Sequence, residues 1–125
     1  MTDKDDDAFE KWLAFVNDTV MRELRYFTLD ADHNLVPCHD ILEWGRFLES
    51  DDRIVAGAGN DDLFVSTVFL GIDHGFGGPP LLFETMVFRD GHGTDDYTER
   101  YSSWKAAEAG HKRICAKVFK RAGVK

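Results

Sequence analysis

Cysteine is scarce in this chain. The two residues present, Cys38 and Cys115, lie far apart and without CxxC spacing. That excludes a zinc site of the usual kind and a disulfide framework. No apolar run approaches the roughly 20 residues needed to span a bilayer. Internal repeats, low-complexity tracts and linkers are absent, as are a Ser-centred nucleophile elbow, a GxGxxG sequence and a P-loop. Net positive charge is missing too. The formal charge is −8, and an acidic chain is repelled by phosphate backbones and anionic leaflets. General nucleic-acid binding and membrane binding are therefore not expected. The start, Met1 to Asp7, is acidic and unlike a signal peptide. The expectation is a reduced, cytoplasmic compartment with both thiols free.

What is present suits one globular domain. The 125 residues are 43% hydrophobic and 30% charged, with ten Phe and three Trp. Such a chain has apolar surface to bury in one core. The charge is uneven. Lys112, Arg113, Lys117, Lys120, Arg121 and Lys125 stand together without an acid, leaving −14 for the rest. A basic last helical turn suits the helix macrodipole; an anion-contacting tail is the other reading.

Periodicity predicts the elements. Phe9, Trp12, Leu13, Val16 and Val20 recur at helical spacing, giving an amphipathic helix over 6–23 after an acidic lead. Residues 25–29 and 35–36 read as short strands around a turn at 30–34, with Pro37 ending or edging the second. Asp40 caps a second helix, with Glu43 three residues on. Residues 53–58 read as a strand. The runs 64–70 and 81–88, rich in β-branched and aromatic residues, read as paired central strands. Between them lies a ten-residue connector, Gly71 to Pro80, with four Gly and two Pro. Residues 89–96 read as a polar loop and 97–101 as a short strand or lead-in. Ser102 or Ser103 caps a last helix whose stripe is Trp104, Ala107, His111, Ile114, Cys115 and Val118. The fold class is α+β: an antiparallel sheet of about five strands with two to three helices on one face. The domain is single, 1–125, with 1–23 as acidic lead and added helix and 25–120 as the α+β core.

Four stretches carry a resemblance: Leu-Val-Pro-Cys-His-Asp-Ile-Leu-Glu-Trp (35–44), Val-Ser-Thr-Val-Phe-Leu-Gly-Ile-Asp-His (65–74), Pro-Pro-Leu-Leu-Phe-Glu-Thr-Met-Val-Phe (79–88) and Arg-Tyr-Ser-Ser-Trp-Lys-Ala-Ala-Glu-Ala-Gly-His (100–111). From Tyr26 to Val118 the chain resembles a widespread family of small uncharacterised proteins from bacteriophages, prophages and bacteria. The first helix looks like an addition. The resemblance implies an intracellular, often phage-borne protein and no particular reaction.

Candidate chemistry gathers at four places. Strand parity puts Ser66, Val68, Leu70, Leu82, Glu84, Met86 and Phe88 on one face, so Glu84 is a carboxylate in an apolar row. It needs a partner, such as Arg100 or Arg53, or works as an acid, base or ligand. His111 falls on a core-facing stripe and becomes a general base only beside Glu84 or Asp73. Asp73 and His74 open the glycine-rich connector, where Gly75 and Gly77 would let a ligand approach the backbone. Arg100, Tyr101 and Trp104, with Tyr97, bring a guanidinium and rings to a helix N-terminus, a place for an anionic, base-bearing ligand. Asp90, His92, Asp95 and Asp96 add possible metal donors without a recognised ligand spacing, so no metal site is assigned and the cofactor stays unknown.

Three expectations follow. The first is a non-enzymatic binding protein, a phage or prophage accessory factor for a host protein or a small anionic, nucleotide-like ligand. The second is a small hydrolase or transferase using Asp73, His74, Glu84 and His111. The third is a self-associating domain, a homodimer.

Overall fold

The computed structural model describes residues 3–21, 25–75 and 77–123, with the side chains at 3–6, 95 and 96 excepted. Helix α1 (Asp3–Phe15) widens into a π-helical turn over Val16–Val20. Strands β1 (Phe27–Leu29) and β2 (Leu35–Pro37) form an antiparallel hairpin, followed by α2 (Ile41–Glu49). A four-stranded antiparallel sheet follows in sequence order: β3 (Ile54–Gly59), β4 (Leu63–Phe69), β5 (Phe83–Arg89) and β6 (His92–Tyr101). Helix α3 (Trp104–Arg121) closes the chain. The α+β class is thus the one expected, with the strands divided between a four-stranded and a two-stranded sheet.

Local chemistry explains the element ends. Asp40 caps α2, its Oδ1 accepting from Leu42 N at 2.9 Å and Glu43 N at 3.3 Å. Ser103, of the two candidate serines, caps α3 by accepting from Ala106 N at 3.1 Å. Lys120 and Arg121 occupy the last turn of α3, where cations oppose the exposed carbonyls. Arg121 is also used locally, hydrogen-bonded to Tyr97 Oη and over its ring. Lys125, like Phe76, lies outside the described residues.

Alternation along β4 and β5 makes two unlike faces. Val65, Thr67, Phe69, Phe83, Thr85 and Val87 are buried on the inner face, under α3. Ala107, Gly110, His111, Ile114 and Val118 are the buried side of that helix. Phe47 of α2 meets Phe69 edge-on at the same layer, ring centroids 5.7 Å apart. Phe64, Ser66, Val68, Glu84, Met86 and Phe88 form the outer face, each only partly covered or exposed.

Two expectations need correction. Leu82, expected beside Glu84 on the outer row, is fully buried in the inner core with Phe83. Regular pairing starts only at Phe83, so parity cannot be carried back to Leu82. Residues 92–96, expected in a loop, belong to β6. Asp90 (φ +53°) and Gly91 (φ +81°) make a two-residue turn with both φ positive, and Arg89 pairs His92 directly. An Asp-Gly pair is the signal for such a hairpin. The polar His-Gly-Thr-Asp-Asp run after it has little strand propensity, and pairing with β5 overrides that. A wide bulge follows: Thr85 faces Glu99 while Val87 faces Thr94.

Gly110 is where α3 comes closest to the sheet. A Cβ there would sit 2.3 Å from ring atoms of buried Tyr101. Gly110→Ala should destabilise the fold by about 1–3 kcal/mol, as overpacking does. Thermal unfolding should show a fall of several degrees.

Candidate functional site

The residues proposed for catalysis do not converge. Glu84 sits opposite Arg100 on the outer face, and Arg100 Nε donates to its Oε2 at 2.9 Å. His111 contacts the inner face, with Nδ1 2.7 Å from Thr67 Oγ1. Thr67 and Val68 are neighbours on β4, and Glu84 pairs with Val68, so the sheet itself stands between Glu84 and His111. The partner expected for the lone carboxylate is Arg100.

Asp73 is committed to the connector. Its Oδ1 accepts from Gly75 N at 2.7 Å and Leu81 N at 3.0 Å, and Arg25 Nη1 lies 3.1 Å from Oδ2. Burial would push this carboxyl up, but the two backbone donors and Arg25 outweigh it and hold it below the usual range. His74 N–H donates to the Leu81 carbonyl at 3.0 Å, closing the same loop. Gly75 and Gly77 therefore serve a connector tied to itself: a Cβ on Gly75 would meet the Pro79 carbonyl oxygen at 2.3 Å.

The proposed anion clamp is likewise divided. Arg100 is on the outer face. Tyr101, its neighbour in β6, turns inward and is buried. Trp104 is half-buried, edge-on to Phe83, and its ring is stacked on His33 at 3.6 Å and 8°. His33 itself, at φ +66°, is presented by the β1–β2 turn. The stacking place that a base would need is filled from within. A cleft of about 450 Å³ beside it is edged by Asp30 and Asp52, which disfavour an anion. Among the described residues no group of three His, Cys, Asp or Glu side chains could hold a metal ion; the Asp95 and Asp96 side chains lie outside them.

What the inner residues do form is a buried file of hydrogen bonds that the sequence reading missed. Tyr101 Oη donates to Thr85 Oγ1 at 2.9 Å. Thr85 Oγ1 lies 2.6 Å from Thr67 Oγ1, and Thr67 leads to His111 Nδ1. His111 Nε2 lies 3.4 Å from Cys115 Sγ. One proton per hydroxyl sets the direction. If Thr85 donates to Thr67 and Thr67 to Nδ1, every proton is used, and Nε2–H points at the thiol. The reverse order gives Thr85 an acceptor only in Tyr101 Oη, which must then give up its own bond to Thr85. Protonating His111 forces that reverse order. Burial, too, lowers the pKa of His111 and raises those of Tyr101 and Cys115. All three are uncharged in the folded protein at neutral pH.

No family model, curated protein or solved structure matches the chain.

The surface carries the remaining chemistry. On the outer face, register sets Ile54, Val68, Glu84 and Arg100 in one row and Gly59, Phe64, Phe88 and Gly93 in another, with Gly57, Ser66 and Met86 between. The Phe64 ring lies over Gly57, where a Cβ would meet its Cζ at 2.8 Å. Met86 Sδ covers Gly93 in the same way, 3.0 Å from an added Cβ. Ile54 is 43% exposed and Phe64 37%. An open cleft of about 710 Å³ runs past Phe64, Ser66 and Phe88, rimmed by Asp61 and Asp90.

Helix α1 adds a second apolar surface. Its stripe continues the one that anchors the π turn, where Val16 packs with Met21, Tyr26, Ile41 and Trp44. Asn17 Oδ1 holds the turn to α2 by accepting from Ile41 N at 2.7 Å. Toward the N-terminus every side chain from Asp7 to Trp12 is exposed. Phe9 is 51% exposed, Trp12 52% and Phe15 60%.

The buried file predicts a pH dependence. A histidine whose folded pKa is depressed binds fewer protons than in the unfolded chain, whose value is about 6.5. Its contribution is full above about pH 6.5 and is lost as pH falls toward the depressed folded value. Urea unfolding from about pH 7.5 down to about pH 5 should show that loss. His111→Asn, which keeps an acceptor for Thr67 and does not titrate, should flatten it.

Proposed function

We propose that this protein is a non-enzymatic binding module that works by protein–protein contact. The observation that carries the reading is α1, a helix that leaves its anchorage with three aromatic rings more than half exposed. Single exposed apolar residues are ordinary on a protein surface, but a contiguous apolar patch marks an interaction site. An amphipathic helix offering Phe9, Trp12 and Leu13 is the form taken by helix-in-groove contacts. The dispersal of Asp73, Glu84 and His111 argues against the hydrolase reading. The filled stack on Trp104 argues against a nucleotide-like ligand. The sequence resemblance would make the module a phage-borne accessory protein.

The test is a photo-reactive benzoylphenylalanine in place of Trp12, irradiated in cells expressing the full chain. The expected result is one or more covalent protein adducts of defined mass. The same group at exposed Lys112 should give none of them. Absence of any specific adduct at position 12 would overturn contact through α1. Trp12→Ala should leave the fold intact by circular dichroism, because a half-exposed ring far from the core contributes little to folding.

A further inference from the structure

Among the described residues, the chain presents two apolar faces that each lack a covering layer. One belongs to a sheet and the other to a helix, the pair that ordinarily packs together inside a domain. They cannot meet within one copy by refolding of α1. Residues 3–21 contain neither Gly nor Pro, and α1 runs without interruption into the π turn that fastens it to α2. We infer that they meet between two copies: α1 of each lies across the outer sheet face of the other, in a closed reciprocal dimer. This rests on the reading of α1 as a protein-contact surface and names the partner.

Dimensions agree. Val68 and Phe64 are four residues apart on β4, about 13 Å. Asp7 to Phe15 spans about 12 Å of helix. The helix can therefore lie from the Arg53–Arg100 end of the face to the Phe64–Phe88 end. Charge favours one direction. Asp7 is paired with Lys11 at 3.2 Å and Arg100 with Glu84, which leaves Glu10 to approach Arg53, beside Val68, while Trp12 and Phe15 reach the cleft at Phe64 and Phe88. The opposite direction would set the acidic turn against Asp61 and Asp90, which rim that cleft.

Area agrees as well. Aromatic side chains bury about 150–250 Å² each, so three rings at their present exposure offer roughly 250–400 Å². Matched by the sheet and doubled by symmetry, the contact buries roughly 1,000–1,600 Å², which reaches the size of stable interfaces. Ser66 is the small side chain left between Phe64, Met86 and Phe88, where a ring can settle in the cleft. Because the exchange is reciprocal, it closes at two copies.

Light scattering and sedimentation of the purified full chain test this. The expected mass is twice 14.2 kDa at micromolar concentration. Trp12→Ala and Phe64→Lys, each alone, should weaken association at least tenfold. Phe9→Ala and Phe88→Lys repeat the test should either of those fail to fold. Mixing the two single variants is the decisive step. One retains its sheet face and the other its helix, so a mixed dimer with one intact contact should form, seen by native mass spectrometry. A dimer unaffected by Phe64→Lys would mean that α1 pairs with α1 and would overturn the proposal. So would a wild-type chain that stays monomeric. In that case an adduct at position 12 with another protein would leave the contact reading standing, and no adduct would remove both.

Discussion

A file of hydrogen bonds from Tyr101 through Thr85 and Thr67 to His111 fixes how this protein is layered. It joins β6, β5, β4 and α3 in one buried line. Hydroxyls in a core are tolerable only when each has a partner, because an orphaned buried group costs about 1–3 kcal/mol. Thr85 is satisfied by Tyr101 and Thr67, and Thr67 also by His111 of α3. No buried side-chain nitrogen or oxygen among the described residues is left without a partner. In the observed setting of the helix, Gly110 lets α3 come near enough to Tyr101 for the line to close.

That setting uses up the chemistry the sequence put on offer. The histidine and tyrosine that could have served a reaction are held neutral by burial. The carboxylates are used elsewhere: Asp73 ties the connector, and Glu84 joins Arg100 across two strands. Polar residues that look reactive in a list become framework once their partners are known.

The same parity that buries Thr67 turns Phe64, Val68, Met86 and Phe88 outward. One side of the sheet is finished by α3; the other is apolar and uncovered. The anchoring of α1 works in the same way. Val16 and Asn17 hold its base to α2, and a continuous helix then carries Phe9 and Trp12 past the core. Both open surfaces are consequences of good packing elsewhere.

Much of this was legible in advance. Periodicity in Phe9 to Val20 and in Trp104 to Val118 specified the helices, because a helix that buries one stripe must repeat every three to four residues. The Val-Ser-Thr-Val-Phe and Phe-Glu-Thr-Met-Val-Phe runs specified central strands, and Asp40 a helix cap, while Ser102 and Ser103 stood as alternatives for the last helix. Glu84 was correctly singled out as needing a cation. Strand β6 was not legible in its first half, since His92 to Thr94 pair through backbone atoms that every residue shares. What the sequence by itself determined is most of the elements and, within a regular helix or strand, which residues share a face, because these depend on neighbours two to four positions away. Only the tertiary structure decided that His111 and Glu84 lie on opposite sides of the sheet, that His33 fills the place on Trp104, and that α1 overhangs. Those facts depend on contacts between segments as far apart as Thr67 and His111, which no local pattern encodes.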